Sequence, residues 1–215
     1  MPETTDDLIE RLSASGTPVR PLSSPIIRAL ATLLPMLTLM TIGAYAFGNT
    51  QPLIDHLSEP VFATGFLASL VTGISAVIAA LHLSIPGRSE SWSWAPLLPA
   101  ATWFGVGFWQ CSTYVGQNGI HEYNMFASAD CFVFIAMTGT VIAVTLFASL
   151  RNRVSTNLFA VTALCGLGAA TLANTMLAAF HPPATNPIDF LTHIVAGTAI
   201  IVYMATLGRS ALKSP

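Results

Sequence analysis

The chain has 215 residues, of which 53% are hydrophobic and only 8% charged, with a formal net charge of −2 and a mean hydropathy of +0.66. A soluble domain carries roughly 25% charged residues, so this composition argues against a large soluble core and for an integral membrane protein. No basic patch suits direct nucleic-acid binding, and the first ~25 residues, acidic and proline-rich, lack the apolar core of a signal peptide.

The chain opens on its one long polar stretch. Thr4 followed by Asp7 has the spacing of a capping box, and Asp6 and Asp7 suit the positive end of a helix dipole. Gly16 and Pro18 can close the helix. The product is about three turns, too short to be stable alone in water. Leu8, Ile9 and Leu12 share one face, which makes this a short amphipathic helix wanting a partner. The residues alone leave two readings open: a partner-binding helix, or a leader lying on the membrane.

Six apolar runs follow: Ile26 to Gly48, Val61 to Ile85, Trp94 to Val115, Ala127 to Leu150, Leu158 to Phe180 and Ile188 to Leu207. Each is near the ~20 residues needed to cross ~30 Å of hydrocarbon. Backbone groups in lipid must be satisfied internally, so the runs predict six transmembrane helices and an all-α polytopic fold. The domain plan is a cytoplasmic segment over 1–25, a membrane domain over 26–208 and a cytoplasmic tail over 209–215.

Charge sets the orientation. Arg11, Arg20 and Arg28 precede the first span, Arg88 follows the second, Arg151 and Arg153 follow the fourth, and Arg209 and Lys213 follow the sixth. All eight basic residues therefore fall on one side, cytoplasmic by the positive-inside rule, with both termini inside. The outer connections, Asn49 to Pro60, Gly116 to Phe126 and His181 to Pro187, read as short loops that leave no room for a soluble catalytic domain. Trp92 and Trp94 read as interfacial anchors. In the fifth span Gly166, Ala169, Ala170 and Ala173 form a small-residue track, which places that helix centrally in the bundle. Asn174 beside it is expected to bond a neighbouring helix.

Candidate sensor groups gather toward the outer face: Cys111, Cys131, His56, His121, His181 and His193. Imidazole and thiolate suit zinc or softer metals, and a thiolate is also open to oxidation. The metal candidates are Cys131, His181, His121 and His193, yet no pair has a metal-site spacing. The other reading is that Cys111 and Cys131 are small buried residues and the histidines interfacial polar groups. Cys165, deep in the fifth span, reads as packing. No cofactor is expected. A transporter is the competing class, but mid-membrane charges that mark an ion path are lacking. His82 and His193 lie at opposite faces, so they cannot share one haem. No constellation of acid, base and nucleophile supports an enzyme.

Asp6-Asp7-Leu8-Ile9 with Leu12, then Pro18-Val19, Leu22, Pro25 and Arg28, then Ser84-Ile85-Pro86-Gly87-Arg88, Cys131 and His181-Pro182-Pro183 follow one another in an order that resembles the NrsF-like membrane anti-sigma factors (negative regulator of sigma F). The resemblance covers nearly the whole chain. It implies a six-helix protein of the bacterial inner membrane that sequesters an extracytoplasmic-function (ECF) sigma factor through its N-terminal segment, and releases it on a stress signal. It makes Asp6, Asp7, Leu8, Ile9 and Leu12 the partner-binding residues, and Cys131, Cys111 and His181 the candidate sensors. The chain departs from the family pattern at Pro182, where a cysteine is expected, so a two-cysteine mechanism does not carry over.

Overall fold

The structure is a computed structural model that describes residues 4–16, 23–47, 50–119, 125–150, 157–180 and 186–211. Every regular element among them is helical: α1 (Thr5–Ala14), α2 (Pro25–Phe47), α3 (Thr50–Leu57), α4 (Pro60–Leu83), a 3-10 turn at Glu90–Trp94, α5 (Leu97–Asn118), α6 (Met125–Leu150), α7 (Leu158–Leu177) and α8 (Pro187–Ala211). Local chemistry fixes several ends. Pro60 sits at the first position of α4, where its missing N–H costs nothing. The Asn157 side chain accepts from the Ala160 N–H at the start of α7. Gly119, at φ 72°, terminates α5 in a conformation that suits glycine.

Five of these helices, α2, α4, α6, α7 and α8, are long and apolar enough to cross a membrane. The sixth expected span forms a 22-residue helix, α5, but Gln110, Ser112, Thr113 and Tyr114 dilute its apolar character and it is not among the five. It also begins later than the sequence suggests. Trp94 belongs to the preceding 3-10 turn, and Pro96 stands just before the first helical residue. Two further differences concern the connections. The stretch expected as a loop from Asn49 to Pro60 holds α3, and α8 continues past Leu207 through Arg209 to Ala211.

The core lies around α7, which packs against α4, α6 and α8. Lipid removes the usual hydrophobic drive between helices, so close backbone approach and van der Waals packing must hold them. The small-residue track supplies that approach: Ala169, Ala170 and Ala173 are buried. A Cβ at Gly166 would lie 2.7 Å from the Ile201 Cα of α8, and one at Gly168 would lie 2.8 Å from the Val77 side chain of α4. Thr72, Thr162 and Thr175 are buried in the same region, and each returns its hydroxyl to a carbonyl one turn earlier in its own helix, so none is left unsatisfied in a dry interior.

α5 lies outside this core against α4, and α2 is peripheral, with Ala29 and Leu33 its buried apolar contacts. The outward faces carry large apolar side chains, among them Leu39, Leu98, Phe108, Met137 and Val141. In water such a surface would aggregate; facing lipid tails it is the expected finish.

Candidate functional site

Three groups of residues have the means to do more than pack. The first is α1. The Thr4 side chain accepts from the Asp7 N–H at 3.3 Å, and the Asp7 carboxylate accepts from the Thr4 N–H at 3.2 Å and its hydroxyl at 2.7 Å. Those bonds, the hydroxyl's first, hold the Asp7 carboxyl below its ordinary value. The helix buries none of its residues, and Leu8, Ile9 and Leu12 are all exposed. Asp7 is thus committed to the cap, whereas Asp6 is turned to solvent.

The second group joins the start of α2 to the end of α4. Arg28, in the first turn of α2, is buried, and its guanidinium donates to the Ser84 hydroxyl at 3.4 Å. Ser84 in turn donates to the Leu81 carbonyl at 2.8 Å. Beside it, the His82 ring stacks on Trp92 with centroids 3.8 Å apart and planes 14° from parallel. Trp92 therefore folds back onto the bundle instead of serving only as an interfacial anchor, while Trp94 is exposed. This cluster sits where the N-terminal segment enters the helical bundle.

The third group lies at the opposite end, where α4 and α8 begin and α5 and α7 finish. Here Ser69 of α4 accepts from the Asn174 amide at 3.1 Å and donates to the Thr171 carbonyl at 3.0 Å, and the Thr175 hydroxyl, whose proton reaches the same carbonyl at 2.8 Å, lies 3.2 Å from the Ser69 hydroxyl. Asn174 does bond a neighbouring helix as its sequence position suggests. Its Oδ1, however, is buried without a hydrogen-bond partner among the described residues. Two cavities of about 80 Å³ each adjoin this network and share Trp103, Asn174 and His193 in their walls. One is polar on one side, with Ser69, Gln110 and Thr175; the other is lined largely by apolar groups such as Phe104, Leu167 and Ile201. The Phe190 ring closes the space between α5 and α8, lying against Gly107 and 5.6 Å from Trp103, centroid to centroid.

The sensor candidates are distributed differently from their sequence positions. Cys131 is 1% exposed, Cys111 and Cys165 are also buried, and all three are free thiols. Burial on the inner faces of α5 and α6 removes the accessibility that the outer position of Cys111 and Cys131 suggested. His193 lines the cavities. His121, His181 and Pro182 lie outside the described residues, within which no three His, Cys, Asp or Glu side chains come together to hold a metal. Asp189, at the start of α8, is buried and takes a 2.6 Å bond from the Asn186 amide, while its N–H donates to the Asn186 Oδ1 at 2.9 Å. This reciprocal cap explains a carboxylate at a helix entrance without invoking a ligand. Sequence reasoning did not single out Ser69, Trp103 or Gln110. Each is an ordinary residue of a long apolar run, and only the assembly of four helices makes them neighbours.

The family model for NrsF, negative regulator of sigma F, matches residues 12–213. The match starts at Leu12, so Asp6, Asp7, Leu8 and Ile9 precede it. No curated protein and no solved structure matches.

Proposed function

The chain belongs to the NrsF family of negative regulators of sigma F, and from that membership we propose that it is an anti-sigma factor of the bacterial inner membrane that holds an ECF sigma factor through residues 1–25 and releases it on stress. The family is one of regulators, not an enzyme class. In this reading α5 completes a set of six spans. The one-sided placement of Arg and Lys puts both termini in the cytoplasm, with residues 26–208 as the sensing domain and 209–215 as the tail.

The observation that carries the proposal is α1 itself: a capped helix that buries nothing and leaves Leu8, Ile9 and Leu12 uncovered. A helix of this length needs tertiary contact to persist, and an apolar groove on a partner supplies it. Asp6 adds steering toward a basic surface, acting on association rate more than on affinity. The Arg28–Ser84 bond ties the start of α2 to the end of α4, so in this reading a rearrangement of α2 against α4 shifts the point where the N-terminal segment meets the bundle.

The test is co-purification of the sigma factor with wild-type and Leu8→Asp proteins from membranes of equal content, alongside a target-promoter reporter. A carboxylate forced into an apolar groove costs several kcal/mol, so the variant should lose the sigma factor and raise reporter activity without stress. Equal recovery with both proteins would remove α1 from the binding surface.

A further inference from the structure

The two adjoining cavities are built from four helices, yet among the described residues no Asp, Glu, Lys or Arg lines either of them. A ligand that carries charge would be desolvated there without a counter-ion, so the space suits a neutral molecule. Its size follows from the volume. About 80 Å³ in each cavity admits several waters, at roughly 10–15 Å³ of such volume per water, which corresponds to a ligand of about a dozen heavy atoms.

The chemistry of the head group is set by Asn174. The Ser69 hydroxyl gives its proton to the Thr171 carbonyl, so toward Asn174 it acts as an acceptor; the network therefore assigns the amide nitrogen to Ser69 and leaves Oδ1 as a buried acceptor. A buried acceptor calls for a donor. The rings of Phe62, Phe66, Trp103 and Phe190 line the same cavity as Asn174 and favour a flat aromatic group. Beyond Asn174 and His193 the second cavity offers an apolar chamber for a tail.

We propose that the paired cavities bind a small neutral amphiphile whose head donates a hydrogen bond to Asn174 Oδ1, of the chemical class of an alkyl-substituted phenol. The ring lies among Phe62, Trp103 and Phe190, the hydroxyl meets Asn174, and the alkyl chain occupies the chamber bounded by Leu167 and Ile201. This site is independent of the identity of the protein held by α1.

The experiment is equilibrium dialysis of full-length protein in lipid nanodiscs, with empty nanodiscs measuring simple partition. The probes are 4-butylphenol and its methyl ether, 4-butylanisole, which has the same shape without the donor. The expected result is saturable one-site uptake of both above the empty discs, with the phenol bound about tenfold more tightly than the ether. Asn174→Leu should bring the phenol to the affinity of the ether. Val106→Phe, which adds bulk from the α5 wall, should weaken both probes about tenfold or more. Should Asn174→Leu fail to fold, the phenol-to-ether ratio of the parent and the Val106→Phe result still decide the matter. Uptake equal to that of empty nanodiscs, equal affinity for the two probes in the parent, a preference that survives in a folded Asn174→Leu protein, or binding indifferent to Val106→Phe would overturn the proposal.

Discussion

Truncating the apolar residues of α1 one at a time should weaken sigma-factor binding in a definite order. Full burial of a Leu or Ile side chain contributes about 2.5 kcal/mol. Only the surface still exposed in the free protein is available to a partner: 38% for Leu8, 58% for Ile9 and 59% for Leu12. Scaling by those fractions gives about 1 kcal/mol for Leu8 and about 1.5 kcal/mol each for Ile9 and Leu12. Alanine retains part of the area, so these are upper values. At about 1.4 kcal/mol per tenfold, Leu8→Ala should raise Kd about fivefold, and Ile9→Ala or Leu12→Ala about tenfold. Alanine favours helix, so the losses do not come from melting α1. Biolayer interferometry between nanodisc-held full-length protein and purified sigma factor reads these changes directly, with Ser13→Ala as a polar control on the same helix. If all three truncations shift Kd by less than about twofold, α1 does not present an apolar face to the sigma factor and the mechanism proposed above is wrong.

Three further outcomes follow from the same structure. Because the folded-state pKa of Asp7 is lowered from its ordinary 3.8, its contribution to α1 is complete above that value and is lost as pH falls through the lowered one; backbone chemical shifts of α1 should lose helicity in that acidic range, and Asp7→Asn should remove the part of that loss that comes from the cap. For topology, a reporter active only outside the cytoplasm should be silent when fused at Pro215 and active after Glu122, and activity at the C-terminal fusion would contradict six spans. As to thiols, Cys111, Cys131 and Cys165 are all buried, so a membrane-impermeant maleimide should modify none of them quickly in native membranes, and rapid labelling of Cys131 would contradict its position; Cys131→Ser should alter induction by oxidant or thiophilic metal while insertion stays normal, and a response like the parent's to both would remove the thiol from sensing.

The long helices were legible because an apolar run of membrane-spanning length has few alternatives to a helix in lipid. The Thr4–Asp7 cap was legible because its spacing and chemistry are local. The central place of α7 was legible from Gly166, Ala169, Ala170 and Ala173, since such a track serves close approach. What escaped was of two kinds. α3 is a short amphipathic helix of eight residues with Pro52 in its first turn, which in sequence looks like a loop. The other kind is direction. Cys131 lies in the early part of α6, but which way a residue faces on an almost uniformly apolar helix is decided by its neighbours. For the same reason the cavity of Ser69, Gln110, Asn174 and His193 had no sequence signature. Its walls come from α4, α5, α7 and α8, and only tertiary packing sets their spacing.

The central position of α7 has a consequence for the order of biosynthesis. α4 cannot cover its buried face until α7 has been made, and α7 in turn waits for α8. α1, which buries nothing against the bundle, is made before these helices and needs none of them to expose its apolar residues. At roughly 5–20 residues per second, the interval between finishing α1 and finishing α7 is on the order of ten to thirty seconds. During that time a nascent chain presents α1 while its membrane-spanning helices are still unassembled. On the function proposed above, newly made molecules would capture a sigma factor before their membrane domain could respond to a signal.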